Sequence, residues 1–241
     1  MYRDLALPFK FLIFLLIFSI VAMLFFAVAQ RFGTPSEGVL NDPSPKPFTV
    51  VLDAGHGGED GGAVSDSGLF EKDLNLSIAL SLRDLLEANG IDVVMTRTTD
   101  TLLYDRDVDY HGRKKALDLA ARRKIAEETE NAVFVSIHMN AYPLSQYRGL
   151  QVWYSPNDPH SQELAEIIQS NAHSMLQPEN DRKIKSATSG IYLLHHLKCP
   201  AVLVECGFLS NAADADALSS PDYRNQVAFL IFLSILEAQN A

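Results

Sequence analysis

The sequence predicts an α/β fold, with a mostly parallel central sheet flanked by helices, in a single domain behind an N-terminal membrane segment. Short apolar runs rich in β-branched residues alternate with longer stretches whose apolar residues recur at helical spacing. This alternation is typical of βαβ units, and continuous apolar runs are typical of strands buried on both faces of a parallel sheet. The chain of 241 residues has no internal repeat. The part of the chain beyond the apolar start has about the length of one domain.

Local signals define the individual elements. The helical pattern at 74–90 ends at Gly90, and glycine commonly terminates helices. Pro221 suits the first turn of the last helix, whose apolar run of about ten residues is too short to cross a membrane. The predicted strands are 48–53, 91–96, 132–137, 149–155, 191–196 and 201–205. The predicted helices are 74–90, about 112–130, 160–176 and 221–239, and the basic residues of the second predict a solvated face.

Residues 1–29 are predicted to be a transmembrane anchor or a signal peptide. Phe11 to Ala29 carries no charge, and nineteen residues are enough for a helix that spans a bilayer. Arg3 and Lys10 precede the segment, and this slight bias places the N-terminus inside and the domain outside. Ala27-Val28-Ala29 also fits a cleavage site, so retention and cleavage both stay open. Either way, the rest of the chain is expected outside the cytoplasm.

The remaining chain divides into a linker and one acidic domain. Residues 30–47 hold four prolines with glycines and small polar residues, which is a linker composition, so the domain is expected to cover 48–241. The formal net charge of −10 excludes a general electrostatic attraction to nucleic acid. Any anionic substrate must therefore be held by local groups or by a metal.

The two cysteines, Cys199 and Cys206, are predicted to be free thiols. They flank an apolar run that reads as a strand, and seven extended residues span roughly 23 Å. A disulfide needs Cα atoms within about 7 Å of each other. The pair is a poor metal site for the same reason.

Ionisable residues come directly after three of the predicted strands. His56 follows the first strand within a glycine-rich turn, His138 follows 132–137, and Glu205 ends 201–205. Ligands bind at the carboxyl ends of strands in such sheets. Each residue also has a structural interpretation. His138 could be a hydrogen-bonded core histidine, Glu71 could complement the dipole of the helix that follows it, and Glu205 could pair with an arginine.

Taken together, these residues predict a catalytic zinc site. Two histidines and one carboxylate, His56, Glu71 and His138, make a three-ligand set that leaves a coordination position open for water. Glu205 would then serve as the base that accepts a proton from that water. Other schemes are weaker, because the chain has neither a GxSxG nor an HExxH motif.

The motifs VVLDAGHGGEDGG, VSIHMNA and PAVLVECGFLSN, with a lone Glu71 between the first two, resemble the zinc-dependent N-acetylmuramoyl-L-alanine amidases known as amidase type 3. The resemblance covers about residues 48–239. It implies one Zn²⁺ held by His56, Glu71 and His138, Glu205 as the catalytic carboxylate, and a structural role for Arg122.

The reaction implied by this resemblance is hydrolysis of the amide between N-acetylmuramic acid and the L-alanine of the peptidoglycan stem peptide. The architecture also resembles the germination-specific amidases, which remove stem peptides so that muramic δ-lactam can form in the spore cortex. Some of these act with a lipoprotein partner. The implied location is the extracytoplasmic face of a bacterial membrane, the cell wall or the forespore envelope. Two alternatives stay open: a zinc peptidase or carboxypeptidase acting on the stem peptide, and a non-catalytic wall-binding module.

Overall fold

The computed structural model describes residues 48–104 and 111–239, together with Phe18, Ser19 and Met23. The chain divides into two compact units, Met1–Ser44 and Pro45–Ala241. In the first unit the three described residues are helical. The rest of the predicted membrane segment and the whole predicted linker lie outside the described residues. Within the described part of the chain, no helix combines the length and the apolar character that a membrane span requires.

Six strands of the described residues form one sheet. They are β1 (Thr49–Ala54), β2 (Asp92–Met95), β3 (Ala132–Asn140), β4 (Gln151–Tyr154), β5 (Lys185–Ser186) and β6 (Ala201–Phe208). Their order across the sheet is β2-β1-β3-β6-β4-β5. Strands β2, β1, β3 and β6 are mutually parallel, whereas β4 runs antiparallel to β6 and parallel to β5. The predicted α/β class with a mostly parallel sheet is therefore confirmed.

Helices cover both faces of this sheet. They are α1 (Glu71–Ala88), α2 (Lys114–Glu128), α3 (Pro159–Asn171) with a π-helical extension (Ala172–Leu176), α4 (Tyr192–His196), α5 (Ala212–Ser219) and α6 (Pro221–Gln239). Alternate residues of β1 enter two separate cores, with Val50 and Leu52 in the larger one and Val51 in the smaller. The larger core includes α1, α3 and α6, and the smaller includes α2 and α4. Because both faces are covered, the strands need apolar side chains at nearly every position.

The predicted strand at 191–196 is wrong, because these residues form helix α4. Leu193, Leu194 and Leu197 are buried together in the smaller core. Their spacing of three and four residues is that of one helix face. In a segment of only six residues, four of them apolar, periodicity alone cannot distinguish a strand from a short buried helix. The prediction of free thiols agrees with the structure, in which Cys199 and Cys206 are not bridged.

Candidate active site

The strand register brings the predicted site residues to one edge of the sheet. His138 on β3 pairs directly with Glu205 on β6, so their side chains leave the same face as neighbours. His56 follows β1, which lies on the other side of β3, and Glu71 is the first residue of α1. At this edge the backbone of Gly55 lies close to the His138 ring, and a Cβ atom added at position 55 would collide with that ring. Glycine is therefore needed at position 55.

His56, Glu71 and His138 form a compact three-residue cluster. The Oε1 atom of Glu71 lies 2.8 Å from His138 Nδ1 and 3.2 Å from His56 Nε2. One potential ligand atom from each residue lies within 4.8 Å of the others. Zinc bound tetrahedrally at about 2.0–2.1 Å separates its ligand atoms by about 3.4 Å. The cluster therefore has both the donor set and the spacing of a metal site with three protein ligands.

Glu71 is oriented toward the histidines by backbone donors. Its Oε2 accepts a hydrogen bond from Ala63 N at 2.8 Å, and its Oε1 accepts one from Met139 N at 3.0 Å. Burial alone would raise the pKa of Glu71, but its contacts with His138 and His56 outweigh burial and hold that pKa far below the usual range. The carboxylate is thus charged at neutral pH.

Two buried arginines fix the turn that carries His56. His56 has a φ of +61°, a left-handed conformation that is uncommon for a non-glycine residue. Arg122 donates to His56 O at 2.7 Å and to Ala54 O at 2.8 Å. Arg97 donates to Ala54 O at 2.8 Å and to Gly55 O at 3.0 Å. Three successive carbonyl groups are therefore held by two guanidinium groups, which maintains the position of the histidine.

Arg122 is itself held by a buried ion network rather than lying on a solvated face. It is 1% exposed, and it pairs with Asp53 Oδ1 at 2.6 Å and with Asp118 Oδ2 at 2.7 Å. Burial tends to raise the pKa of Asp53, but Arg122 and a hydrogen bond from Ser136 outweigh it and lower that pKa. The prediction of a solvated basic face is therefore wrong at position 122, where arginine satisfies two buried carboxylates.

The second ring nitrogen of His56 faces another carboxylate. His56 Nδ1 lies 2.9 Å from Asp60 Oδ1, although the contact lacks the alignment of a hydrogen bond. Burial lowers the pKa of His56, but Glu71 and Asp60 outweigh burial and raise it. Metal-bound histidines commonly use the free ring nitrogen to contact a carboxylate, which orients the ring. The sequence analysis does not identify Asp60 as a partner of His56. Its position four residues after His56, in a tight turn, could have indicated this contact.

One carboxylate oxygen of Glu205 has no hydrogen-bond partner among the described residues. Oε2 is buried, and no group of the described residues donates a hydrogen bond to it. Burial raises the pKa of Glu205 to about 7, with opposing effects from His138, which lowers it, and Glu71, which raises it. A carboxyl group with a pKa near neutrality can both accept and return a proton. The alternative interpretation, in which Glu205 pairs with an arginine, is not observed among the described residues.

Residues 50–237 match a family described as N-acetylmuramoyl-L-alanine amidase, Amidase_3. The chain belongs to this amidase family. A germination-specific N-acetylmuramoyl-L-alanine amidase of Bacillus subtilis (strain 168) is 37% identical over 234 residues, which cover 94% of this chain and 93% of the relative. The amidase LytC of the same organism is 34% identical over 182 residues, covering 75% of this chain and 33% of LytC.

Solved amidase structures have the same fold. The CwlD amidase from Clostridioides difficile, in complex with the GerS lipoprotein, matches with a TM-score of 0.76 and 37% identity, covering 80% of this chain and 98% of CwlD. The catalytic domain of CwlV from Bacillus (Paenibacillus) polymyxa var. colistinus matches with a TM-score of 0.65 and 34% identity, covering 79% of this chain and 97% of that domain. The predicted family and enzyme class are thereby confirmed. The roles of the four individual site residues stay predictions.

Proposed function

We propose that this amidase is zinc-dependent and hydrolyses the bond between N-acetylmuramic acid and the L-alanine of the stem peptide. His56, Glu71 and His138 would hold one Zn²⁺, and Glu205 would be the catalytic carboxylate. The observation that carries the proposal is the pairing of His138 with Glu205 across β3 and β6. It puts a three-ligand cluster next to a buried carboxylate oxygen that has no partner.

The chemistry follows from the positions of these groups. Zinc in this cluster would act as a Lewis acid, which polarises the scissile carbonyl and makes water a better nucleophile at neutral pH. Glu205 takes the proton from the attacking water and returns it to the nitrogen of the departing alanine. Oε2 is available to accept this proton, because no group of the described residues donates a hydrogen bond to it. Glu71 remains ionised throughout, since its contacts with the two histidines stabilise the anion.

We further propose that the enzyme works outside the cytoplasm, in spore cortex maturation. Residues 1–29 would be a membrane anchor or cleaved signal, 30–47 a linker and 48–241 the catalytic domain. If residues 11–29 are not cleaved, they would attach the chain to the membrane. Support for the spore role comes from the 37% identity to a germination-specific amidase over nearly the whole chain. The complex of CwlD with GerS supports a lipoprotein partner.

The reaction is tested with the full-length chain, purified peptidoglycan and mass spectrometry of the released material. With zinc, we expect intact stem peptides with a free L-alanine amine, and none after chelation. Glu205→Gln should lower the rate by at least about 100-fold, the lower range for loss of a general acid–base group, while keeping its zinc. Glu163→Gln removes an exposed glutamate of α3 and is the matched control. A shortened stem still attached to muramic acid would instead identify a peptidase.

The biological role is tested by complementation. The chain is expressed in a Bacillus subtilis strain that lacks its germination-specific amidase, and muramic δ-lactam is measured in the cortex. Restored lactam supports the spore role, and restoration that requires a co-expressed lipoprotein supports the partner. Peptidoglycan cleavage in vitro without any restored lactam, with or without the lipoprotein, would contradict the spore role.

A further inference from the structure

A cleft of about 390 Å³ adjoins the proposed catalytic carboxylate on the β4 side of the sheet. Gln151 on β4 pairs with Glu205 on β6, so these two side chains are neighbours on one face of the sheet. Gln151 lines the cleft together with Asn140, which lies two residues beyond His138 on β3. The cleft therefore begins one strand away from the site and continues toward β5.

Two cationic side chains line the cleft. Arg182 donates from Nε to Arg148 O at 2.6 Å and from Nη1 to Gln151 Oε1 at 3.0 Å. The guanidinium also lies over the Phe208 ring, 4.4 Å from its centroid. These contacts fix Arg182 and leave its Nη2 without a hydrogen-bond partner in the described parts of the chain. Lys185 is exposed, and its Nζ lies 5.0 Å from the centroid of the Trp153 ring.

Neither cation forms an ion pair with a carboxylate in the described parts of the chain. Among residues 48–104 and 111–239, no carboxylate oxygen lies within the 4.0 Å of an ion pair from Arg182 or Lys185. This is notable in a chain with 30 acidic and 20 basic residues. Gln151 contributes to the arrangement, because its Nε2 donates to Lys183 O at 2.8 Å and so keeps its Oε1 directed toward Arg182. A fixed guanidinium with free N–H groups is suited to binding a carboxylate.

The order of groups along the sheet edge indicates which part of the substrate enters the cleft. The cluster of His56, Glu71 and His138 lies at the ends of β1 and β3, and Glu205 lies on the next strand, β6. The two cations lie on the far side of β6, next to β4 and β5. If the scissile carbonyl binds at the cluster and Glu205 protonates the leaving nitrogen, the chain attached to that nitrogen extends over β4. That chain is the stem peptide, which carries carboxylate groups, whereas the glycan leaves in the other direction.

We infer that Arg182 and Lys185 form a subsite for a carboxylate of the stem peptide and contribute to substrate specificity. The inference rests on the proposed amidase function. Arg182 supplies the directional contact, because its planar group is held by Gln151 and Phe208. Lys185 supplies a second positive charge at the far end of the cleft. Both side chains contribute to binding of the stem peptide, so their removal should affect KM more than kcat.

The experiment compares two substrates and three variants of the full-length enzyme with zinc. The first substrate is native peptidoglycan, and the second is the same polymer with its carboxylates converted to amides by carbodiimide and ammonia. The variants are Arg182→Gln, Lys185→Gln and the control Lys198→Gln, which removes an exposed lysine outside the cleft. We expect amidation to raise the wild-type half-saturating concentration about 10-fold, as for loss of one charged hydrogen bond.

The decisive result is how the half-saturating concentration of each variant changes between the native and the amidated polymer. Arg182→Gln and Lys185→Gln should each raise the half-saturating concentration on native polymer, with kcat within about twofold of wild type, and each should narrow the difference between the polymers. Lys198→Gln should behave as the wild type. Equal losses on both polymers, or no losses, would overturn the inference alone. Failure of the wild type to release stem peptides from native polymer would overturn the proposed function, and the subsite with it.

Discussion

Replacing Arg122 by glutamine tests the conclusion that a buried ion network supports the site. The side chain is almost completely buried, and it pairs with Asp53 and Asp118, which are 1% and 4% exposed. Glutamine keeps much of the volume but carries no charge, so two carboxylates would remain inside the protein without their cation. Their remaining hydrogen bonds come from neutral groups: the Thr96 and Ser136 hydroxyls donate to Asp53, and Leu103 N donates to Asp118. The Arg97 guanidinium interacts with both carboxylates as a charge but does not donate a hydrogen bond to either.

The expected loss of stability is about 4 kcal/mol, since removing one partner of a buried ion pair costs about 3–5 kcal/mol. The matched control is Arg123→Gln on the next residue of the same helix. Arg123 pairs with Glu127 at 2.7 Å, but both side chains are partly exposed, at 32% and 43%. Its loss should therefore cost under about 1 kcal/mol. The two variants remove the same chemical group and differ mainly in burial.

The measurement is equilibrium unfolding in urea, followed by fluorescence. Trp153 is the single tryptophan of the chain and lies on β4, so its emission reports on the sheet. The free energy of unfolding of each variant is compared with that of the wild type at pH 7. A loss below about 1 kcal/mol for Arg122→Gln, or equal losses for both variants, would refute the argument, because the buried carboxylates would then need no charged partner.

Three other outcomes are expected from the same contacts. Asp53→Asn should lower the free energy of unfolding at pH 5–7. The difference in this free energy between variant and wild type should become smaller below about pH 4, because the pKa of Asp53 is lowered in the fold and its carboxylate stabilises the fold only while it is ionised. In a thermal melt, zinc at about 100 times its Kd should raise the wild-type Tm by about 5–10 °C. His138→Gln should abolish this rise, and His160→Gln, on an exposed residue, should not. Gly62→Ala should weaken zinc binding at least about 10-fold in calorimetry, because the new Cβ would lie 2.5 Å from Glu71 Oε2. Gly62 also has a φ of +67°, which strains a residue with a side chain. Unchanged affinity would show that Glu71 can move.

The central part of the fold could be predicted because its signals are local. The strands at 48–53, 132–137 and 201–205 are apolar runs ended by polar residues, and all three are observed with small changes of boundary. Their order in the sheet could not be obtained this way. Strands β3 and β6 are separated in the chain by β4, α3, β5 and α4, so their pairing depends on long-range packing rather than on neighbouring residues.

Buried polar groups account for most of the features that the sequence did not reveal. Arg122 lies among basic residues that face solvent, so composition alone assigned it to the wrong environment. Asp118, one turn before it, and Ser136, within an apolar strand, are signals that a buried partner is needed. The roles of Gln151 and Arg182 depend on an antiparallel strand next to the site, and no local pattern gives the direction of that strand.

The direction of β4 also determines where specificity residues occur in the sequence. In the parallel strands, side chains at the active edge come at the end of each strand, as with His138 and Glu205. Because β4 runs the opposite way, its first residue, Gln151, lies at that edge. The segment leading into β4 must therefore supply the next part of the cleft, and Tyr142 and Tyr147 in that segment do line it. Substrate preference in this enzyme should consequently depend on residues that precede β4, in addition to Arg182 and Lys185, which come after it.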